Sequence, residues 1–253
     1  RLTTGSRDAR GEQVSTPVRL AVLTDLHACA YGEGQKNLLD AVAVQCPDLV
    51  LLCGDIVDDD PRMPEERALA TVEALAEVWP VYYVTGNHEF WTGRVEEVRE
   101  LLRARGAVVL EGESAAVTAA GQTLRIGGID DPNVGEDIWR EQLETVTAAQ
   151  DGETFSILLT HRPERVEDYT GRGFDLVLAG HAHGGQWRLP GLINGLIAPN
   201  QGLFPRYAGG RYALDGDTTM IVSRGLARES TRIPRLFNRP ELVVVDILPE
   251  GTA

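Results

Sequence analysis

Asp48-Leu49-Val50-Leu51-Leu52-Cys53-Gly54-Asp55-Ile56-Val57-Asp58 is the stretch that decides the fold. A continuous apolar run ends on a glycine, and a carboxylate follows at once. An unbroken apolar run of this length marks a strand covered on both faces, as in a parallel sheet flanked by helices. The same pattern recurs outward from it. Val18–Leu23 leads into Asp25-Leu26-His27, and Val81–Val84 into Gly86-Asn87-His88-Glu89. Phe155–Leu159 leads to His161, and Leu176–Ala179 to Gly180-His181-Ala182-His183. Open α/β sheets bind ligands beyond the carboxyl ends of their strands. Strands that each deliver polar side chains to one edge therefore build one site from distant sequence.

Helical spacing fills the intervals at Gln35–Val44, Glu65–Val78, Val95–Arg105 and Glu136–Ala149. Further strands are expected at Ala107–Leu110, Ala115–Ala119, Leu124–Ile129, Thr219–Ser223 and Leu242–Ile247. Alternation of this kind implies an α/β protein with two sheets. Residues 1–17 are polar and read as an extended N-terminal segment, with residues 18–253 forming a single domain.

The chain has 253 residues and a formal charge of −14, which argues against general nucleic-acid binding. The charge is uneven: Arg188 to Arg239 holds eight arginines against Asp215, Asp217 and Glu229. That segment is either a solvated surface or a basic rim facing an anionic substrate. The three cysteines, Cys29, Cys46 and Cys53, make no disulfide framework, and Cys46 and Cys53 are expected in the core. No apolar run is long enough to span a bilayer. The sequence begins at Arg1 rather than Met, so an upstream signal, anchor or tag stays open, and with it the compartment.

All five histidines fall in the strand-end motifs. Imidazole and carboxylate without a thiolate cluster suit Mn, Zn or Fe. The set is too large for one tetrahedral ion. Two ions roughly 3.5–4 Å apart fit, with the central Asp55 as the bridge.

Asp-x-His, Gly-Asp-x-x-Asp, Gly-Asn-His-Glu, a lone His and Gly-His-x-His, in this order, resemble the calcineurin-like metallophosphoesterases from about Val18 to Ile247. Gly180–Pro190, Ser223-Arg224-Gly225-Leu226 and Asn238-Arg239-Pro240-Glu241-Leu242 are similar to the bacterial YkuE/YaeI-type phosphohydrolases. The resemblance implies two facing mixed β-sheets flanked by helices, a four-layer αββα sandwich. It implies one ion held by Asp25, His27, Asp55 and His183, and a second by Asp55, Asn87, His161 and His181. The catalytic group is then His88, Asp58 and Asn87, with His88 assisting the leaving group and Asp58 as the carboxylate partner of that histidine. The implied reaction is phosphate-ester hydrolysis by a hydroxide bridging the two ions.

Two departures from the pattern, Ala28-Cys29 after His27 and Ala227 after Leu226, remove no ligand. Cys29 is expected to pack rather than to bind metal. Glu89 either supports the ligands or caps the segment that follows. Trp187, Leu192, Ile193, Leu196, Ile197, Leu203 and Phe204 form an apolar stretch broken by Gly and Pro, between Arg188 and Arg206. It reads either as a packed loop or as a lip, residues 187–206, that touches a membrane and presents a lipid-like phosphate ester. Among functions, a phosphodiesterase leads. A phosphomonoesterase or protein phosphatase, a nucleotide-sugar-lipid pyrophosphatase, a nuclease and an inactive metal-binding scaffold are the alternatives. The oligomeric state is open.

Overall fold

The computed structural model describes residues 2–4, 16–189, 191–228 and 233–249. In chain order its strands are β1 (Leu2–Thr4), β2 (Val18–Leu23), β3 (Leu49–Cys53), β4 (Val81–Val84), β5 (Ala107–Val109), β6 (Ser114–Ala119) and β7 (Gln122–Gly128). There follow β8 (Phe155–Leu159), β9 (Leu176–Ala179), the short pair β10 (Ile197–Ala198) and β11 (Gly202–Leu203), β12 (Gly210–Ala213), β13 (Thr219–Val222) and β14 (Val243–Pro249). One six-stranded sheet runs β1-β14-β2-β3-β4-β5 and another β12-β13-β9-β8-β7-β6. Strands β2 to β5 are parallel, as are β7, β8, β9 and β13. β14, β6 and β12 pair antiparallel with their neighbours β2, β7 and β13, so both sheets are mixed.

Side chains alternate across each strand, and the alternation sorts the apolar runs into layers. Leu20 and Val22 of β2 and Leu49 and Leu51 of β3 join Ile126, Ile157 and Leu178 of the second sheet in one buried cluster. This is the seam between the two sheets. Ala21, Leu23, Val50 and Leu52 point the other way, onto helices α1 (Lys36–Ala43), α2 (Glu65–Ala76) and α4 (Val95–Arg103). Leu158, Val177 and Met220 do the same on the second sheet, against α5 (Glu136–Ala148) and α6 (Val166–Tyr169). The four-layer αββα sandwich follows, as the sequence implied.

Some local expectations change. Cys46 is exposed, at a left-handed turn with φ 49° just after α1, so it is not a core thiol; Cys53 is buried. β12 and the five-residue helix α3 (Asn87–Trp91) were not legible, being too short for a periodic pattern. Among the described residues no helix is long and apolar enough to cross a membrane.

Facing of the sheets brings their carboxyl ends together. His161 Nδ1, after β8, donates to the carbonyl of Cys53 on β3 at 2.7 Å. Leu226 N–H, after β13, donates to Thr24 O, after β2, at 3.0 Å. Every strand-end motif identified in the sequence lies along this one edge.

Candidate metal centre

Each ligand-type side chain sits in the segment directly after a parallel strand, on a loop or, for Asn87 and His88, in the first turn of α3, and the approach of those segments is very close. A Cβ on Gly54 (φ 83°) would lie 2.6 Å from His161 Nδ1 and 2.7 Å from the Gly86 backbone. A Cβ on Gly180 would lie 2.6 Å from Asp25 Oδ2. Gly54 is required by both its turn and this contact, whereas Gly180 is required by the contact alone. Asp25, His27, Asp55, His181 and His183 all hold φ between 48° and 64°. Left-handed backbone at non-glycine residues costs of order 1–3 kcal/mol each and clusters at functional sites.

The donor atoms gather into groups. One oxygen or nitrogen from each of Asp25, His27, Asp55 and His183 lies within 4.8 Å of the others, and so do those of Asp55, His161 and His181. Asp55 belongs to both groups. Its Oδ1 accepts from His88 N–H at 2.8 Å, which leaves Oδ2 facing the pocket, 3.1 Å from His161 Nε2 and 3.6 Å from His27 Nε2. Asn87 is 1% exposed, and its Oδ1 is buried without a partner. His27 Nε2 and His181 Nδ1 are likewise buried without a hydrogen-bond partner, and Asp55 Oδ2 and His161 Nε2, 3.1 Å apart, are not aligned for a hydrogen bond and have no other partner. Buried polar atoms are almost always satisfied. Orphans from five different side chains aimed at one place fit a pair of cations, with Asp55 shared.

The opposite ring nitrogens are anchored. His27 Nδ1 meets Asp58 Oδ2 at 2.8 Å. His161 Nδ1 donates to Cys53 O. His181 Nε2 lies 3.0 Å from Asn200 Oδ1, which also accepts from Arg162 Nη1 at 2.9 Å. Arg162 Nη1 also lies 3.0 Å from His181 Nε2, so Asn200 and Arg162 together hold that edge of the ring and leave Nδ1 to the pocket. Arg162 is locked in turn by a buried pair with Asp131, Nη2 to Oδ1 at 3.0 Å. Such outer partners fix tautomer and ring orientation.

Electrostatics separate the histidines. Burial, with His161 and Arg162 nearby, pushes His181 well below the usual imidazole range. Burial, with His27 and Arg235 nearby, does the same to His183. Both are held neutral, the ligating form. Burial opposes charge on His161, but Asp55 overrides it and raises the imidazole to about 10. Burial also opposes ionisation of Asp55, yet His161, His88 and His27 hold it well below the carboxylate range.

His88 stands apart. It is aligned on α3, partly exposed, with its ring edge-on to His27 at 4.4 Å and beside Trp91 at 4.8 Å. Its Nδ1 lies 2.6 Å from Asp59 Oδ1 and 3.7 Å from Asp58 Oδ1. Asp58 thus serves His27 first, and the nearest carboxylate to His88 is Asp59. Burial would lower the His88 pKa, but Asp58, Asp55 and Asp59 outweigh it and raise it to about 9.

Glu89 proves to be a bracket. It is fully buried, and its Oε1 accepts from Ile56 N–H at 2.7 Å and Val57 N–H at 3.2 Å. Its Oε2 accepts from Gly86 N–H at 2.7 Å and Asp55 N–H at 3.0 Å. It therefore ties the loop carrying Asp55 to the loop carrying Asn87 and His88. Cys29 is buried, belongs to none of the donor groups, and accepts from Arg228 N–H at 3.3 Å.

The fold and the donor set define a metallohydrolase-type α/β sandwich with its centre at the carboxyl edge of both sheets. A family model for calcineurin-like phosphoesterases matches residues 18–185, and the chain belongs to that family of metal-dependent phosphoesterases. It is 28% identical to the phosphodiesterase YaeI of Escherichia coli strain K12, covering 92% of this chain and 83% of that protein. It is 28% identical to the uncharacterized metallophosphoesterase Cj0846 of Campylobacter jejuni over 96% of this chain, but spans only 62% of that longer protein. In three dimensions it is similar to a dimetal phosphatase from Danio rerio, with a TM-score of 0.55 at 15% identity, covering 85% of this chain and 88% of that one.

Proposed function

We propose that the chain hydrolyses phosphate diesters, with Asp25, His27, Asp55 and His183 holding one ion and Asp55, Asn87, His161 and His181 the other. The observation that carries this is the convergence of unpartnered, buried His27 Nε2, Asp55 Oδ2, Asn87 Oδ1, His161 Nε2 and His181 Nδ1. When bound, two such ions supply Lewis acidity toward a phosphoryl oxygen and a low-pKa water. The chain's own part is the rest. Glu89 and the Asp58, Asn200 and Cys53 contacts preset the ligand directions, so no reorganisation is needed on binding. His88, charged through its neighbouring carboxylates, stabilises negative charge on the ester and hands its proton to the leaving oxygen. Asp58 and Asp59 orient it. Residues 18–253 act as one domain in this reading.

A diester is favoured over a monoester because the stretch from His88 to His161 is used up by α3, α4, β5 to β7 and α5, leaving no inserted cap over the centre. YaeI is named a phosphodiesterase, which agrees. Membrane contact is part of the same reading: Trp187, Leu192, Leu203 and Phe204 are exposed, and Trp187 is bridged to Leu236 on a second loop with exposed Ile233 and Phe237. Two apolar loops beside the centre suit an ester presented at a lipid surface. Co-sedimentation with anionic vesicles checks that part; no binding by the wild-type chain rejects it.

The test of the main proposal is metal content together with turnover of bis-p-nitrophenyl phosphate against p-nitrophenyl phosphate under Mn, Zn and Fe. About two ions per chain and preference for the diester are expected. Fewer than one ion under every loading condition would sink the dinuclear centre. His88→Asn is expected to keep its metals and lose about a hundredfold or more of turnover. Loss of metal in that variant would refute its assigned role.

A further inference from the structure

Arg235, beside the centre, makes no ion pair with a carboxylate among the described residues. Its Nε and Nη1 are buried without a hydrogen-bond partner, and its Nη2 lies 3.4 Å from Nδ1 of His183. Arg235 is partly buried, and the two fully buried arginines among the described residues are matched: Arg162 pairs with Asp131, and Arg99 with Asp130 at 2.8 Å. Burying an unpaired charge is expensive, and the usual remedy is a counter-ion. Among the described residues no such counter-ion is supplied to Arg235.

The setting says what could supply it. Arg235 opens into a groove of about 580 Å³ lined with Arg228, Pro234, Phe237, Asn238 and Arg239. Asn238 fixes this loop to the centre, its Nδ2 donating to His183 O at 2.7 Å and Gln186 O at 3.1 Å. His183 turns Nε2 toward Asp25, at 3.6 Å from Oδ1, and Nδ1 toward Arg235. The guanidinium is thus displaced from the ligand cluster by the width of an imidazole. It is suited to a group next to the one held at the cluster. Phe237, 72% exposed, offers an apolar wall to whatever is attached to that group.

We propose that Arg235 anchors a second anionic group of the substrate, beyond the scissile phosphate, so that the preferred substrates are diphosphate diesters rather than simple monophosphate diesters. This deepens the diesterase reading and rests on it. A guanidinium binds phosphate oxygens in a fork, with charge-assisted hydrogen bonds.

The test is calorimetric titration of di(adenosine-5′) diphosphate and of adenylyladenosine, which has one phosphate, into metal-loaded protein. A His88→Asn background keeps turnover slow during the titration. Tighter binding of the diphosphate by about tenfold or more is expected. Arg235→Gln should bring the two affinities together, and Arg235→Lys should restore part of the difference. Metal content and melting temperature of each variant separate this from a structural role. Equal affinities in the protein with Arg235 intact, or a preference that survives Arg235→Gln, would overturn the proposal. Failure of the wild-type chain to turn over bis-p-nitrophenyl phosphate would instead sink the hydrolase reading, and the titration would still judge Arg235.

Discussion

Glu89→Gln isolates the bracket beneath the centre. The carboxylate serves two pairs of amides, Ile56 and Val57 through Oε1, and Gly86 and Asp55 through Oε2. An amide side chain of the same size keeps one oxygen and turns an NH2 group toward the other pair. Two buried N–H groups then face a donor, and each unmet donor costs about 1–3 kcal/mol. Relaxation of the loop toward solvent keeps the sum in the lower half of that range, about 3 kcal/mol in all. For a domain of this size that corresponds to a fall of roughly 6–12 °C in melting temperature. The assay is scanning calorimetry of wild-type and variant protein in chelator, so that bound ions contribute to neither. Metal titration follows, because Asp55 rides on the loop that Glu89 holds. Loading should weaken by roughly 10–100-fold, the usual effect of losing an outer partner. A variant that melts within about 1 °C of the wild type and titrates identically would refute the bracket.

Other outcomes follow from the same geometry. Asn200→Ala removes one of the two groups that hold the Nε2 edge of His181; loss of this outer partner should weaken binding of one ion by about tenfold while the other is unaffected, read by titration of the metal-free protein. Gly54→Ala puts a methyl 2.6 Å from His161 Nδ1 at a residue with φ 83°; overpacking alone costs about 1–3 kcal/mol, and urea unfolding in chelator should register it together with loss of one ion. Unchanged stability in that variant would mean that the two sheet edges approach less closely than described.

The strand-end grammar was legible because both of its parts are local. Val50 and Leu52 face one way and Leu49 and Leu51 the other by strand alternation alone, so a continuous apolar run must be covered on both sides. Metal-type chemistry was legible for the same reason: a carboxylate or imidazole placed just after such a run needs no partner to be recognised. Helix α3 was not, since five residues carry no period, and neither was the exposure of Cys46, which depends on a left-handed turn.

What the sequence by itself determined is therefore the order of strands and loops, the kinds of donor at their ends, and the family those motifs share. The tertiary structure alone decided the pairings. It gave Asp58 to His27 and Asp59 to His88, set Glu89 under four amides, placed Asn200 on His181, and set Arg235 beside His183 with Nε and Nη1 unpartnered. Most of these join residues on different loops. Their meeting depends on which strands lie side by side in each sheet and on side-chain direction, neither of which is a local property of the chain.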